Sequence, residues 1–404
     1  MSRILILSEL WYPEGGGAEV ASQLYASKLI ELGHHVTVAT TSRVAKNLGP
    51  SCEIQHLDIS STQKSSLLIS SRKIKEKIKE LAVQSDVVYI PGKLIFLAPF
   101  LRREKVAAKI VVHLHDYQLI CPHASMYNFI SHKTCENVWS DLTCARCSRI
   151  YESKEHDRTF TSWTGAVVTL AWRNLMKISQ LADLIDSIDC FITVSKAQAD
   201  LIASSIGEFS SRFRNKNKTI YNPVNMSIKY VLPQFNKNHE ICAGFLGGDR
   251  YMKGFDIAES KINDVSFANV KLLVTKSKGR LYENKIEFLG WLSGDEMAEL
   301  FKRIWVVLFT SRWNEPLPYA VVESQLRGRP VIGTAVGGVE ECIAKIGFTG
   351  DVVKNGESFE PYIRKYADRI GNDPRLTQEI SRASESFFAE RSAHAYSNFQ
   401  DVLF

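Results

Sequence analysis

Two glutamates, Glu315 and Glu323, stand eight positions apart in the stretch 309–338, FTSRWNEPLPYAVVESQLRGRPVIGTAVGG. The apolar run 305–309 before them reads as a buried strand. Pro316 and Pro318 each lack an N–H and fix φ, so they belong before a helix or within its first turn. A helix starting near Pro318 leaves Glu315 in the loop at the strand's carboxyl end and Glu323 about a turn inside the helix. The unpaired N–H groups of the first turn then lie between the two acids. Such a corner offers carboxylates to hydroxyls and a positive helix end to an anion. A sugar joined to a pyrophosphate fits that description, whereas a plain reading makes the pair a loop acid and a helix-start acid favoured by the dipole.

The elements that must position this corner follow from the hydrophobic pattern. Short apolar, β-branched runs at 3–8, 35–41, 86–90, 109–114 and 190–194 alternate with helical patterns. Runs of this kind are strands covered on both faces, as in a parallel doubly wound sheet, with ligands at the strands' carboxyl ends. The alternation restarts at Ile241 after the polar tract 233–240, with further runs at 241–247, 271–275, 286–289, 305–309 and 330–333. A chain of 404 residues exceeds one typical core. The expectation is α/β with two doubly wound Rossmann-like domains, 1–222 and 223–385, and a C-terminal helix, 386–404, packing back on the first.

Other stretches carry chemistry. Gly15, Gly16 and Gly17 follow the first strand and open a helix over 18–32, so backbone there can approach a sugar or phosphate closely. Residues 111–116, VVHLHD, end a strand, which puts His113, His115 and Asp116 at a cleft edge. Lys253 precedes Gly254 at another strand-helix corner. Residues 71–80 read as a solvated basic helix, or as a membrane-surface face. Residues 93–109 read as a core-facing helix with a basic edge that Pro99 starts or kinks.

Four of the eight cysteines, Cys121, Cys135, Cys144 and Cys147, fall in a 27-residue span beside His115, His123 and His132. The Cys144-x-x-Cys147 spacing suits chelation, and two more thiolates would complete a tetrahedral structural zinc site. Unbound thiols or a disulfide stay open, with an iron–sulfur cluster less favoured. The span 118–160 reads as a Cys-rich insertion that shapes acceptor choice. The net charge of +6 fits a solvated surface or affinity for an anionic nucleotide, phospholipid or nucleic acid, and does not itself choose among them. The start of the chain runs directly into a strand, and no apolar run approaches a membrane span. These features, with the cysteine usage, lead to the expectation of a reducing, cytoplasmic setting, with any contact to an anionic membrane peripheral and no nucleic-acid partner.

Glu315-Pro316-Leu317-Pro318-Tyr319-Ala320-Val321-Val322-Glu323, followed by Gly328-Arg329-Pro330-Val331-Ile332 and Gly337-Gly338-Val339-Glu340-Glu341, resembles the E-x7-E region of the retaining glycosyltransferases of family 4. These are GT-B enzymes that take nucleotide-sugar donors. The resemblance covers nearly the whole chain and is strongest over 288–343. It implies that Glu315 accepts from the donor sugar's hydroxyls, that Glu323 binds the ribose, and that amides around Leu317 to Tyr319 meet the sugar or diphosphate. It further implies that Lys253 meets the diphosphate and His115 the donor sugar, making His115, Lys253 and Glu315 the catalytic candidates. Gly16, Gly17, Gly248, Arg250, Leu317, Pro318, Tyr319 and Glu323 join Lys253 as donor-binding candidates. Where the family carries a diphosphate-binding arginine this chain has Gly248, and Arg250 is the candidate replacement. Ser195 resembles a further family position.

The implied activity is transfer, with retention, from a UDP- or GDP-sugar to a glycan or lipid-linked acceptor. Without a D-x-D motif no catalytic metal is expected. A non-catalytic sugar- or nucleotide-binding subunit is the alternative, and a sugar-nucleotide epimerase is less favoured.

Overall fold

The computed structural model describes residues 1–57, 71–136, 141–156, 178–235, 240–267, 269–276, 282–283, 285–354 and 356–404. Parts of the insertion expected over 118–160 and of the polar tract 233–240 lie outside these residues.

The first half contains β1 (Arg3–Ser8), β2 (His35–Thr40), β3 (Cys52–His56), β4 (Val87–Pro91), β5 (Lys109–Leu114), β6 (Tyr127–Asn128), β7 (Lys133–Thr134), β8 (Cys190–Thr193) and β9 (Asn217–Thr219). Seven of these form one sheet in the order β3-β2-β1-β4-β5-β8-β9, and all its pairings are parallel. Along β1, Ile4 and Ile6 enter one hydrophobic cluster while Leu5 and Leu7 enter another on the opposite face. Both faces are therefore covered, which is why the strand is apolar at successive positions.

The second half adds β10 (Ile241–Phe245), β11 (Val270–Val274), β12 (Tyr282–Glu283), β13 (Ile286–Phe288), β14 (Ile304–Phe309), β15 (Val331–Thr334) and β16 (Gly350–Val353). Their order is β12-β13-β11-β10-β14-β15-β16, parallel except for the β12–β13 edge. From β10 the chain builds outward through β11 and β13, then returns to the other side of β10 as β14. The strand order thus reverses between β10 and β14, the position where doubly wound sheets open a ligand crevice.

The insertion contributes the antiparallel ribbon β6–β7 and the helix Asp141–His156. The stretch expected to be helical over 93–109 is a 3-10 turn, Lys93–Leu97, followed by the helix Ala98–Arg103 with a proline in its first turn. That helix stops at Glu104, ahead of β5.

The chain crosses between the two cores twice. Ile220 packs in a cluster of the first half and Val224 in that of the second. The helix Leu376–Leu403 places Leu376, Ile380 and Phe388 in the second core and Ala395, Phe399, Val402 and Leu403 in the first. This helix is continuous through residue 386. The two crossings touch where the Val224 backbone N–H donates to Ser392 Oγ at 3.0 Å. Among the described residues no helix is long and apolar enough to cross a membrane.

Candidate active site

Because β10 and β14 are parallel neighbours, the loops at their carboxyl ends lie side by side. The β10 loop carries Arg250 and Lys253, and the β14 loop carries Ser311, Trp313 and Glu315. Thr310 Oγ1 donates to the Gly254 carbonyl at 2.7 Å, and the Arg312 backbone N–H donates to the Met252 carbonyl at 3.0 Å. Arg312 braces the pair of loops from behind. Its guanidinium holds Asp256 through two 2.5 Å contacts and lies 4.0 Å over the Tyr251 ring.

Glu315 is buried, and three donors converge on its Oε1: the Lys253 ammonium, Trp313 Nε1 at 2.6 Å and Ser311 Oγ at 3.2 Å. Its second carboxylate oxygen takes no part in these bonds. The Lys253 ammonium also lies 5.5 Å from the Trp313 ring centroid. Trp313 and Ser311 were missed as functional residues although they share the loop with Glu315.

This corner forms one wall of a cleft of about 940 Å³, lined from the first half by Gly17, His115 and Asn222 and from the second by Arg250, Lys253, Lys276, Glu315 and the segment Pro316 to Tyr319. A neighbouring recess of about 290 Å³ shares Gly17, Leu246, Lys276, Tyr319 and Ala320 with it and adds Gly15, Gly16, Glu323 and Arg327. The two glutamates therefore serve different compartments. The helix between them spans Tyr319–Leu326, with Pro318 as its N-cap residue. Glu323 pairs with Arg327 at 3.4 Å.

Gly16 caps the helix Gly17–Glu31, its N–H donating to Glu19 Oε2 at 2.7 Å. At Gly17 an added Cβ would stand 2.9 Å from Tyr319 Cδ2 of the other half, so a hydrogen there lets the two halves meet. Tyr319 is held in place by its hydroxyl, which donates to the Pro223 carbonyl at 2.8 Å.

Gly248 differs from expectation. It is buried, does not line the cleft, and adopts φ +74, with a would-be Cβ 3.1 Å from the Lys276 carbonyl. An arginine at this left-handed turn would be strained and crowded. Lys276, just past β11, reaches the cleft instead. Desolvation, together with the like charges of Lys253 and Arg250, holds its pKa below the ordinary lysine value against the pull of Glu323. Its position at a strand's carboxyl end is a signal that could have singled it out.

His115 lines the cleft at the end of β5. Burial holds its pKa down to about 3, so its imidazole is neutral. The His113 ring lies 4.1 Å from it, and burial and His115 hold His113 well below the ordinary value. Burial pushes the neighbouring Asp116 up to about 6. Ser195 caps the helix Lys196–Ser205, its Oγ accepting from the Gln198 N–H at 3.2 Å. Glu341 reaches the same helix end from the other half, accepting the N–H groups of Lys196 and Ala197, both at 2.9 Å, and the Tyr221 hydroxyl at 2.7 Å.

The insertion docks on the β10 loop. Glu155 accepts the Met252 N–H at 2.5 Å, the Tyr251 hydroxyl and His132 Nδ1 lie 2.9 Å apart, and Tyr127, Phe129, Cys147 and Met252 share one small core. Lys154 and Glu155 also line the cleft. All four insertion cysteines are outside disulfides. Cys147 Sγ accepts the Phe129 N–H at 3.4 Å and faces the Tyr127 carbonyl at 3.8 Å. Burial, with smaller contributions from Cys121, Cys135 and Cys144, pushes its pKa up to about 12 and so keeps it a neutral thiol. Among the described residues no group of three or more His, Cys, Asp or Glu side chains is placed to hold a metal ion.

Residues 268–385 match the family model of glycosyl transferases group 1. That match and the fold support a place in the group 1 glycosyltransferase superfamily. An uncharacterized 42.6 kDa protein in the cps region of Klebsiella pneumoniae is 24% identical over 380 residues, 84% of this chain and 86% of that protein. The crystal structure of Anabaena HepE in complex with UDP aligns with TM-score 0.63 and 17% identity over 99% of each chain. A second HepE structure, in complex with UDP-glucose, has TM-score 0.62 and 16% identity over 100% of this chain and 99% of that one. Sucrose-phosphate synthase from Thermosynechococcus elongatus has TM-score 0.66 and 15% identity over 99% of this chain and 98% of that one. At these identities the likeness speaks for the fold, which is GT-B.

Proposed function

We propose that this chain is a retaining, metal-independent glycosyltransferase of family 4 that moves a hexose-type sugar from a nucleotide diphosphate sugar to a glycan or lipid-linked acceptor. The observation that carries the reading is the meeting of Lys253 and Glu315 at the point where strand order reverses, in a cleft that also holds Arg250 and Lys276. Preorganised charge aimed at a departing group is the largest single contribution in many enzymes. A UDP donor is the first choice, by analogy with the ligands of HepE, and a GDP donor is the second.

On this reading the diphosphate lies against Arg250, Lys253 and Lys276, with the amides at the start of the helix Tyr319–Leu326 adding positive field. The ribose sits by Glu323 in the smaller recess. The sugar lies between Glu315 and His115, whose neutral imidazole exchanges hydrogen bonds with hydroxyls without adding charge. The bond between the anomeric carbon and the diphosphate oxygen breaks while the acceptor oxygen adds from the same face. The acceptor's proton passes to the departing diphosphate oxygen, so no side-chain nucleophile is required.

A panel of nucleotide sugars tests the reading by thermal shift and by release of nucleoside diphosphate. Binding to the folded state alone stabilises it by RT ln(1 + [L]/Kd), about 2.7 kcal/mol at a hundredfold excess over Kd. One donor should stand out in both assays. Stabilisation without turnover, even with glycan and lipid-linked acceptors supplied, would instead favour a binding subunit. No shift with any donor would remove the proposal. Vesicles containing anionic lipid test the peripheral membrane contact, which fails if the protein remains unbound at low salt.

A further inference from the structure

Tyr117 stands just past β5, in a turn that its own backbone ties down. Its N–H donates to the Ala124 carbonyl at 3.0 Å, and its carbonyl accepts the N–H groups of Ile120 at 3.0 Å and Cys121 at 2.8 Å. The side chain is fully buried in a core of the first half. Trp313 of the second half meets it edge to face, with ring centroids 6.4 Å apart and planes at 84°. Aromatic pairs attract one another at that distance and angle. Although the Trp313 backbone belongs to the β14 loop, its side chain packs on that core of the first half and on the small core of the insertion.

The same indole reaches the candidate chemistry. Its Nε1 donates to Glu315 Oε1 at 2.6 Å, and its ring lies 5.5 Å from the Lys253 ammonium. An indole is rigid and Nε1–H is its single donor, so the place where the ring rests decides where the donor points. Part of that resting place belongs to the first half, whereas the carboxylate belongs to the second. Opening the cleft therefore withdraws support from the ring, and closing it restores that support. The Tyr117 hydroxyl has no hydrogen-bond partner among the described residues, so the contact is made by the ring. Burial, and then the negative charges of Glu315, Glu341 and Asp116, keep the phenol protonated, so no charge enters the seat.

We propose that Tyr117 is a positioning residue for Glu315, seating the Trp313 ring from across the cleft so that the indole N–H reaches the carboxylate when the two halves meet. The orientation of the acid that faces the sugar is thereby tied to closure. This rests on the reading of the cleft as a nucleotide-sugar site. Tyr117 stands behind the cleft wall, outside the residues that line it, so its effect falls on turnover and leaves the binding of nucleoside diphosphate alone.

Three substitutions take the chain of contacts apart. Tyr117→Met fills the space without a ring, Tyr117→Phe restores the ring, and Trp313→Phe removes the N–H. Turnover would be followed as release of UDP from UDP-glucose and of GDP from GDP-mannose, with calorimetry for UDP and GDP. Tyr117→Met and Trp313→Phe should each lower kcat by about tenfold with nucleoside diphosphate affinity unchanged within twofold, and Tyr117→Phe should recover kcat to within twofold. The double variant Tyr117→Met/Trp313→Phe should be no slower than the slower single one, because both residues act through one hydrogen bond. Additive losses, an unchanged kcat in Tyr117→Met, or an equal loss of nucleoside diphosphate affinity would overturn the proposal. The indole nitrogen-15 and proton signal of Trp313, assigned by its absence from Trp313→Phe, gives a readout in ligand-free protein that a merely structural role would not move. It should hold its place in Tyr117→Phe and move in Tyr117→Met as the bond to Glu315 loosens, and a signal unmoved in Tyr117→Met would refute the coupling. If Tyr117→Met does not fold, the wild type decides: a nuclear Overhauser contact between the Trp313 indole and the Tyr117 ring supports the proposal, and its absence overturns it. A wild type that binds neither nucleotide pair, with the indole signal behaving as expected, would count against the nucleotide-sugar reading while supporting the coupling of Tyr117 to Glu315.

Discussion

Lys253 and Glu315 meet as an ion pair although 62 positions separate them, and Trp313 and Ser311 donate to the same carboxylate oxygen. Glu315 is thereby held in one orientation before any ligand arrives. Glu315→Gln keeps the shape and removes the charge, so transfer or donor hydrolysis should fall by about 10²–10³ while nucleoside diphosphate still binds. Steady-state rates together with calorimetry check this, and unchanged turnover would exclude Glu315 from the chemistry.

The three cations of the cleft should not be equivalent. Lys253→Ala removes the charge coupled to Glu315 and should abolish transfer. Arg250→Ala and Lys276→Ala should each weaken UDP binding by about tenfold, or about 1.4 kcal/mol, and reduce its salt dependence. If Arg250→Ala leaves both affinity and turnover intact, Arg250 does not replace the charge missing at Gly248.

Gly17→Ala should drive a methyl group into the Tyr319 ring, which the Pro223 carbonyl holds in place. Crowding of this kind costs about 1–3 kcal/mol. The unfolding midpoint in urea should fall, and donor affinity should fall with it, since the methyl separates the two walls of the cleft. A stability unchanged from wild type would show that the halves are not in contact there in solution.

Acid should destabilise the protein through the end of β5. His113 and His115 are held below the ordinary value of 6.5, so below that pH the unfolded chain takes up protons that the folded chain refuses, and stability falls. Asp116, raised from 3.8 to about 6, works the other way, because the folded chain holds its proton in that window. Two histidines against one aspartate leave the unfolded chain the richer in protons near pH 5, so stability falls as the pH drops. Urea denaturation at pH 6.5 and 4.5 should show His113→Asn with a flatter dependence than wild type. An equal slope in the two proteins would refute the assignment.

The corner from Glu315 to Glu323 was legible because every feature that shapes it is local: a buried strand, two prolines and a helix start within about twenty residues. The inner strands were legible because both their faces are covered. β3 was not, since Cys52 is its one fully buried position, and the edge strand β16 was missed as well. Lys276 went unnoticed although it ends a strand, and Asn222 went unnoticed because it becomes meaningful only beside His115, distant in sequence. The docking of Glu155 on Met252 joins residues 97 positions apart, and no pattern within the insertion announces it. Nor does the cysteine spacing announce that Cys147 packs with Tyr127, Phe129 and Met252.

The Val224–Ser392 hydrogen bond ties together the two passages of chain between the halves. The halves are therefore joined by a two-ply hinge at one place, one ply an extended segment and the other the middle of a 28-residue helix. A rotation about that spot would leave both the helix and the Val224–Ser392 bond intact, whereas sliding the halves past one another would strain both. The Glu341 cap lies beside this hinge, its carboxylate taking the Tyr221 hydroxyl and its carbonyl the Arg391 guanidinium, while the Glu155–Met252 contact is a clasp elsewhere. Any widening of the cleft would have to release these contacts.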